Sequence, residues 1–154
     1  MGEIGSVVGM ECTGGCHCGN LQVKLRLSKE PEQMAVRACT CSFCRAHAPR
    51  FISDPAGSFE ISAADWTTVE YYRFGTRTCD FLLCGRCGVF IAAVTDADSP
   101  SPRAVVNMNC LAERARFSDV PVLHNFDGET AGARQARHNA NWMPAILRRE
   151  SETA

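Results

Sequence analysis

Seven cysteines in three tight groups constrain this chain more than any other feature: "CHC" at 16–18, "CTCSFC" at 39–44 and "CGRC" at 84–87. Thiols one or two residues apart bridge each other only with strain, yet they converge readily on one metal ion. With ten cysteines in all, the spacing reads as metal binding and not as a disulfide framework. The start, "MGEIGSVVGMECTGG", lacks the basic opening and apolar run of a secretory signal. That predicts a cytoplasmic, reducing setting, where disulfides rarely persist. Gly2 and Ser6 make a weak formal match to a myristoylation pattern, and one such chain anchors only marginally.

A chain of 154 residues fits one domain and can bury roughly 68–70% of its unfolded surface, so it does not need metal merely to fold. We read a single zinc-binding domain over 1–154, with a core at about 12–129 and a C-terminal tail, 130–154, packing on it. The net charge of −1 argues against nucleic acid, which demands clustered Lys and Arg. No apolar run approaches the roughly 18 residues of a membrane span. Exposed strand edges make a homodimer plausible.

The pattern is mostly strand. "LQVKLRL" (21–27) alternates, with Leu21, Val23, Leu25 and Leu27 on one side. "SFEIS" (58–62) and "TVEYYRF" (68–74) are rich in β-branched and aromatic residues. "DFLL" (80–83), "VFIAAVT" (89–95) and "RAVVNMN" (103–109) are short apolar runs that read as buried strands, and "PVLHNF" (121–126) reads as another. "CLAERARF" (110–117) holds a helical turn, and "TAGARQARHNANW" (130–142) a short helix that lets Trp142 and Pro144 dock the tail. The end, "RRESETA", reads as frayed.

Pairing Cys16 and Cys18 with Cys84 and Cys87 gives a saturated four-thiol zinc site. Gly85 and Gly88 let the "CGRCG" backbone turn both sulfurs towards one point. The bland reading of these four is free buried cysteines. Cys39, Cys41 and Cys44 remain, three thiols on a second metal with a fourth position open to water or substrate. Three thiolates suit sulfur chemistry better than hydrolysis, on grounds of ligand softness. Either the position stays open or an in-chain ligand closes it, the choices being Cys12, Cys79, Cys110, His17, His47, His124 and His138. A third option is metal held only transiently, leaving reactive thiols.

The order C-x-C, C-x-C-x-x-C-R, C-x-x-C-G resembles the glutathione-dependent formaldehyde-activating enzyme family, which includes the centromere-protein-V-like domains. The matching pieces are "GGCHCGNLQVKL", "ACTCSFCR", "YYRFGT", "LLCGRCGVFI", "VVNMNCL" and "FDGE", over roughly 12–129. The resemblance implies a mainly-β fold, a β-tent of antiparallel sheets around two zinc sites. It implies structural zinc at Cys16, Cys18, Cys84 and Cys87, and catalytic zinc at Cys39, Cys41 and Cys44. The implied activity is carbon–sulfur lyase chemistry on a thiol–aldehyde adduct such as S-hydroxymethylglutathione. The implied partners are thus a small-molecule thiol and an aldehyde or related electrophile. Arg45, Arg50, Arg73 and Arg77 are available to bind carboxylates of a glutathione-like substrate. The alternatives are a non-catalytic zinc-stabilised binding module, or a thiol carrier or redox-sensing zinc protein. The stretch after the triplet, "CRAHAPRFISDPAG", departs from the family by carrying His47 where a basic pair often follows.

Overall fold

The alternation at 21–27 becomes β2 (Leu21–Leu27), whose apolar side chains are buried and whose polar ones face out. Leu21, Leu25 and Leu27 are completely covered. Burying each such side chain contributes about 1.5–3 kcal/mol, so this one face fixes the strand's register. The computed structural model describes residues 10–118 and 120–149. The possible acylation pattern at Gly2 and Ser6 lies outside the described residues, as do positions 150–154 of the C-terminal end.

Among the described residues, eleven strands form the architecture. β1 (Met10–Gly15) pairs antiparallel with β2, and β2 with β5 (Ser58–Ala63). β6 (Val69–Tyr72), β7 (Asp80–Cys84) and β8 (Phe90–Val94) make an antiparallel meander leading to β9 (Arg103–Asn107). The short strands β3 (Arg37–Cys39), β4 (Phe51–Ile52) and β10 (Val122–His124) continue from the other side of β9. One edge of β9 therefore changes partner along its length. Arg103 and Ala104 pair with β11 (Met143–Arg148), and Val106 and Asn107 pair with β4. The sheet divides there into two arms.

The mainly-β expectation holds, but the sheet is mixed. β11 runs parallel to β5, and β10 runs parallel to β3. The segment from 130 onwards is more than a tail packed on the body. Thr130 caps a helix, α2 (Ala131–Asn141), by accepting from the Ala133 N–H at 3.1 Å. The chain then enters the sheet as β11, between β5 and β9. Pro144 hides this strand in the sequence, because proline removes a ladder donor and usually argues against an internal strand. Arg148 closes β11, so the first residue of "RRESETA" is ordered within the sheet. The helical turn at 110–117 is a 3-10 turn, Arg114–Arg116. No helix among the described residues is long and apolar enough to cross a membrane.

The core has two parts. The larger lies under β1, β2, β5, β8 and β9. The smaller gathers Phe51, Phe90, Val105 and Trp142 around Cys44 and Cys79. One cysteine group belongs to each part.

Candidate metal centres

Two tight turns bring the first group together. Cys16 and Cys18 follow β1, Cys84 ends β7, and Cys87 lies in the turn from β7 to β8. Gly88 takes φ +82°, a left-handed conformation that a side chain would strain. Gly85 serves differently: a Cβ there would collide with the Thr68 carbonyl, to which its N–H donates at 2.8 Å. The four sulfurs lie within 4.8 Å of one another, with Cys16–Cys18 and Cys18–Cys84 separations of 3.6 Å. A tetrahedron with metal–sulfur bonds of about 2.3 Å spaces its sulfurs about 3.8 Å apart, so the donor set fits such an ion. Backbone N–H groups point at the sulfurs, Leu21 to Cys16 at 3.2 Å and Arg86 to Cys84 at 3.4 Å. Burial raises the Cys87 thiol, but N–H donors at Cys18 and Val89 outweigh it and bring it to about 6.

The second group is built on one turn. β3 ends at Cys39, and Cys41 is the N-cap of α1 (Ser42–His47), which carries Cys44 on its inner side. The Cys41 sulfur accepts from the Cys44 N–H at 3.4 Å, and the Cys39 sulfur from the Cys41 N–H at 3.5 Å. The three sulfurs lie within 4.8 Å of one another. They cannot all ionise unaided. A hydrogen bond from the Cys44 thiol draws Cys39 down to about 5, and the same contact, with burial, pushes Cys44 up. Such unequal sharing of protons marks a cluster that a cation would relax.

Among the described residues, no fourth His, Cys, Asp or Glu lies within 4.8 Å of all three sulfurs. The triplet instead lines a cavity of about 340 Å³, walled by Phe51, Phe74, Phe81, Val105, Phe126 and Trp142. Of the residues considered as a closing ligand, Cys79, His124 and His138 share that lining. His124 is the in-register neighbour of Cys39 across β10 and β3. Cys79 is buried, which pushes its thiol up to about 12. Burial likewise lifts Cys12 and Cys110 to about 11; Cys12 is a core thiol, and Cys110 is partly buried against the same core.

None of the four arginines singled out in the sequence lines the cavity. Arg73 clamps Asp80 through two bonds of 2.7 and 3.2 Å. Arg77 donates to the Arg73 carbonyl at 3.4 Å. Arg50 donates to Asn109 at 2.8 Å, and Arg45 is exposed on α1. Arg37, Arg134 and Arg137 line the cavity instead. Only β10 at 122–124 beside β3, together with α2, brings them there, and local sequence carries no signal of that long-range packing.

Fold and site together define a class: a mainly-β protein with two cysteine groups able to hold metal, one closed by four thiols and one of three thiols facing a cavity. The family model described as glutathione-dependent formaldehyde-activating enzyme matches residues 11–126, and the chain belongs to that family. A crystal structure of a Rhodobacter sphaeroides protein is similar in fold, with a TM-score of 0.52. The two are 23% identical over 73% of this chain and 99% of that one.

Proposed function

We propose that this protein is a zinc enzyme of carbon–sulfur lyase type, forming or cleaving the bond between a small thiol and an aldehyde carbon. One observation carries the reading: three thiols gathered within 4.8 Å at the wall of a cavity, with no fourth side-chain ligand closing the group among the described residues. The four-thiol group supports a structural role, since it is saturated by its own chain. Zinc bound at the triplet would supply a cation that lowers the pKa of an incoming thiol.

The chain's own residues provide the rest. The N–H groups of Cys41 and Cys44 donate to the Cys39 and Cys41 sulfurs and orient them towards one point. The aromatic side chains on the wall offer water no hydrogen-bonding partner on that side, which would strengthen electrostatic contacts made there. In the synthetic direction the substrate sulfur's electron pair forms the carbon–sulfur bond, the carbonyl π pair moves to oxygen, and that oxygen takes up a proton. Cleavage reverses each movement.

The test is two-dimensional exchange NMR with ¹³C-formaldehyde and glutathione. Catalysis accelerates exchange between free aldehyde and S-hydroxymethylglutathione over the spontaneous rate. Cys44→Ser should abolish the acceleration while the protein stays folded. An unaccelerated rate with glutathione and with simple thiols, by protein holding two zinc ions, defeats the reading.

A further inference from the structure

Three arginines stand on the walls of the cavity over the triplet, and one of them has no carboxylate partner among the described residues. Arg37, Arg134 and Arg137 all line it. Arg137 is satisfied internally, its Nε and Nη2 each donating to the Glu129 carboxylate at 3.0 Å. Arg37 has no carboxylate partner among the described residues. Its Nη2 donates to the neutral Ser53 hydroxyl at 2.9 Å. Burial, and then the charge on Arg137, hold its guanidinium below the usual arginine range. Arg134 donates from Nη2 to the Phe126 carbonyl at 3.0 Å, and its buried Nε, though without a hydrogen bond, is ion-paired with Glu129 at 3.4 Å. The lining's other acid, Asp127, is exposed, where solvent and salt screen it.

His138 adds a second, independent observation. It lines the same cavity, is only 2% exposed, and its Nδ1 is buried without a partner. Buried charges in proteins are ordinarily paired and buried polar atoms ordinarily bonded. A wall that departs from both habits is complementary to something that enters.

We propose that Arg37 and Arg134 form an anion subsite for the carboxylate of a thiol, or thiol–aldehyde adduct, whose sulfur sits at Cys39, Cys41 and Cys44. This rests on the reading of the triplet as an open thiol site. The substrate class is a small thiol with a carboxylate at one end and an apolar body that suits the Phe51, Phe81 and Trp142 walls. The imidazole of His138, kept neutral by burial, is placed on the same wall to meet the adduct's hydroxyl. Arg134 and His138 lie on α2, beyond residue 126 where the family match ends, so the subsite is built partly from chain outside the matched segment.

The experiment uses cobalt(II)-loaded protein, whose sulfur-to-cobalt absorption reports a new thiol at the metal. It is titrated with 3-mercaptopropionate and with the isosteric neutral 3-mercaptopropionamide, and metal content is checked afterwards. Wild type should bind the carboxylate at least about tenfold more tightly, the scale of a charge-assisted hydrogen bond. Arg37→Leu and, in parallel, Arg134→Gln should bring the two affinities together, chiefly by weakening the carboxylate. The second variant keeps the test valid should the first fold poorly. Equal affinities in wild type, or a preference surviving in the folded variants, overturn the subsite but leave the open thiol site standing. If neither thiol changes the spectrum, the subsite and the reading beneath it both fall.

Discussion

The Cys18 and Cys84 sulfurs lie 3.6 Å apart although 66 residues separate them in the chain. This contact joins the β1–β2 turn to the end of β7, and so ties one sheet arm to the other. Structural metal bound by four thiols is worth roughly 10–16 kcal/mol of apparent affinity in small domains. Cys84→Ser should therefore cost more than the roughly 10–100-fold in metal affinity that outer-sphere partners are worth, and should lower the melting temperature. Cys39→Ser should lose one metal equivalent from the triplet and largely keep the fold. Metal analysis alongside thermal circular dichroism distinguishes the two, and equal melting losses would refute the division of roles.

The core makes its own prediction. Leu25 is completely buried in β2 and is the register partner of Cys12 on one side and Phe59 on the other, both also completely buried. Leu25→Ala should destabilise the protein by about 2–5 kcal/mol, the loss of transfer energy plus a cavity. Denaturant unfolding of the metal-loaded protein would measure it. A cost below about 1 kcal/mol would mean that this face is less tightly packed than its burial implies.

What the sequence could and could not disclose follows from distance along the chain. β2 is legible because its alternation is local, and β8 because five consecutive apolar residues announce burial on both faces. The cysteine groups are legible because each pair or triplet is contiguous. β3, at three residues, and β4, at two, are too short for any period to register. β11 is masked by Pro144. The cavity arginines escape detection for another reason: a basic residue's partner is set by tertiary packing. Arg73 looks available in "YYRFGT", yet Asp80, seven residues on, holds it. Arg37 looks unremarkable, yet packing leaves it on the cavity wall.

His138 stacks on Trp142 with ring centroids 3.7 Å apart and is pressed down to about 3 by burial, with Arg137 and Arg134 adding to the effect and Glu129 opposing it. An unfolded histidine titrates near 6.5. Between pH 6.5 and about 3 the unfolded chain thus binds a proton that the folded chain refuses. Stability is unaffected by this group above pH 6.5 and falls as pH drops through that window, by up to about 1.4 kcal/mol per pH unit. His138→Phe keeps the stack and removes the proton site. Its unfolding free energy should fall less steeply with pH over that window than that of wild type. Parallel curves would show that another group carries the acid sensitivity.

Phe43 sits between two thiols of the triplet, two residues after Cys41 and next to Cys44. Its ring packs against His47, Tyr72, Phe74, Phe81 and Phe90, with centroids 4.5 to 5.7 Å away. These rings belong largely to the β6–β8 side, so Phe43 fastens the helix carrying Cys44 to the meander that carries Cys84. A full Phe→Ala truncation in a core costs about 3–5 kcal/mol, and the half-buried Phe43 should fall near or below the lower end. The more telling effect concerns position, because ligand geometry tolerates little displacement. Phe43→Ala should weaken metal binding at Cys39, Cys41 and Cys44 by about tenfold or more while leaving the four-thiol group loaded. Phe43→Leu, which keeps much of the apolar contact, should recover part of that loss. Stepwise chelator titration followed by zinc analysis resolves the two sites. Simultaneous release of both metals from Phe43→Ala would show that the ring supports the whole fold and not the triplet in particular.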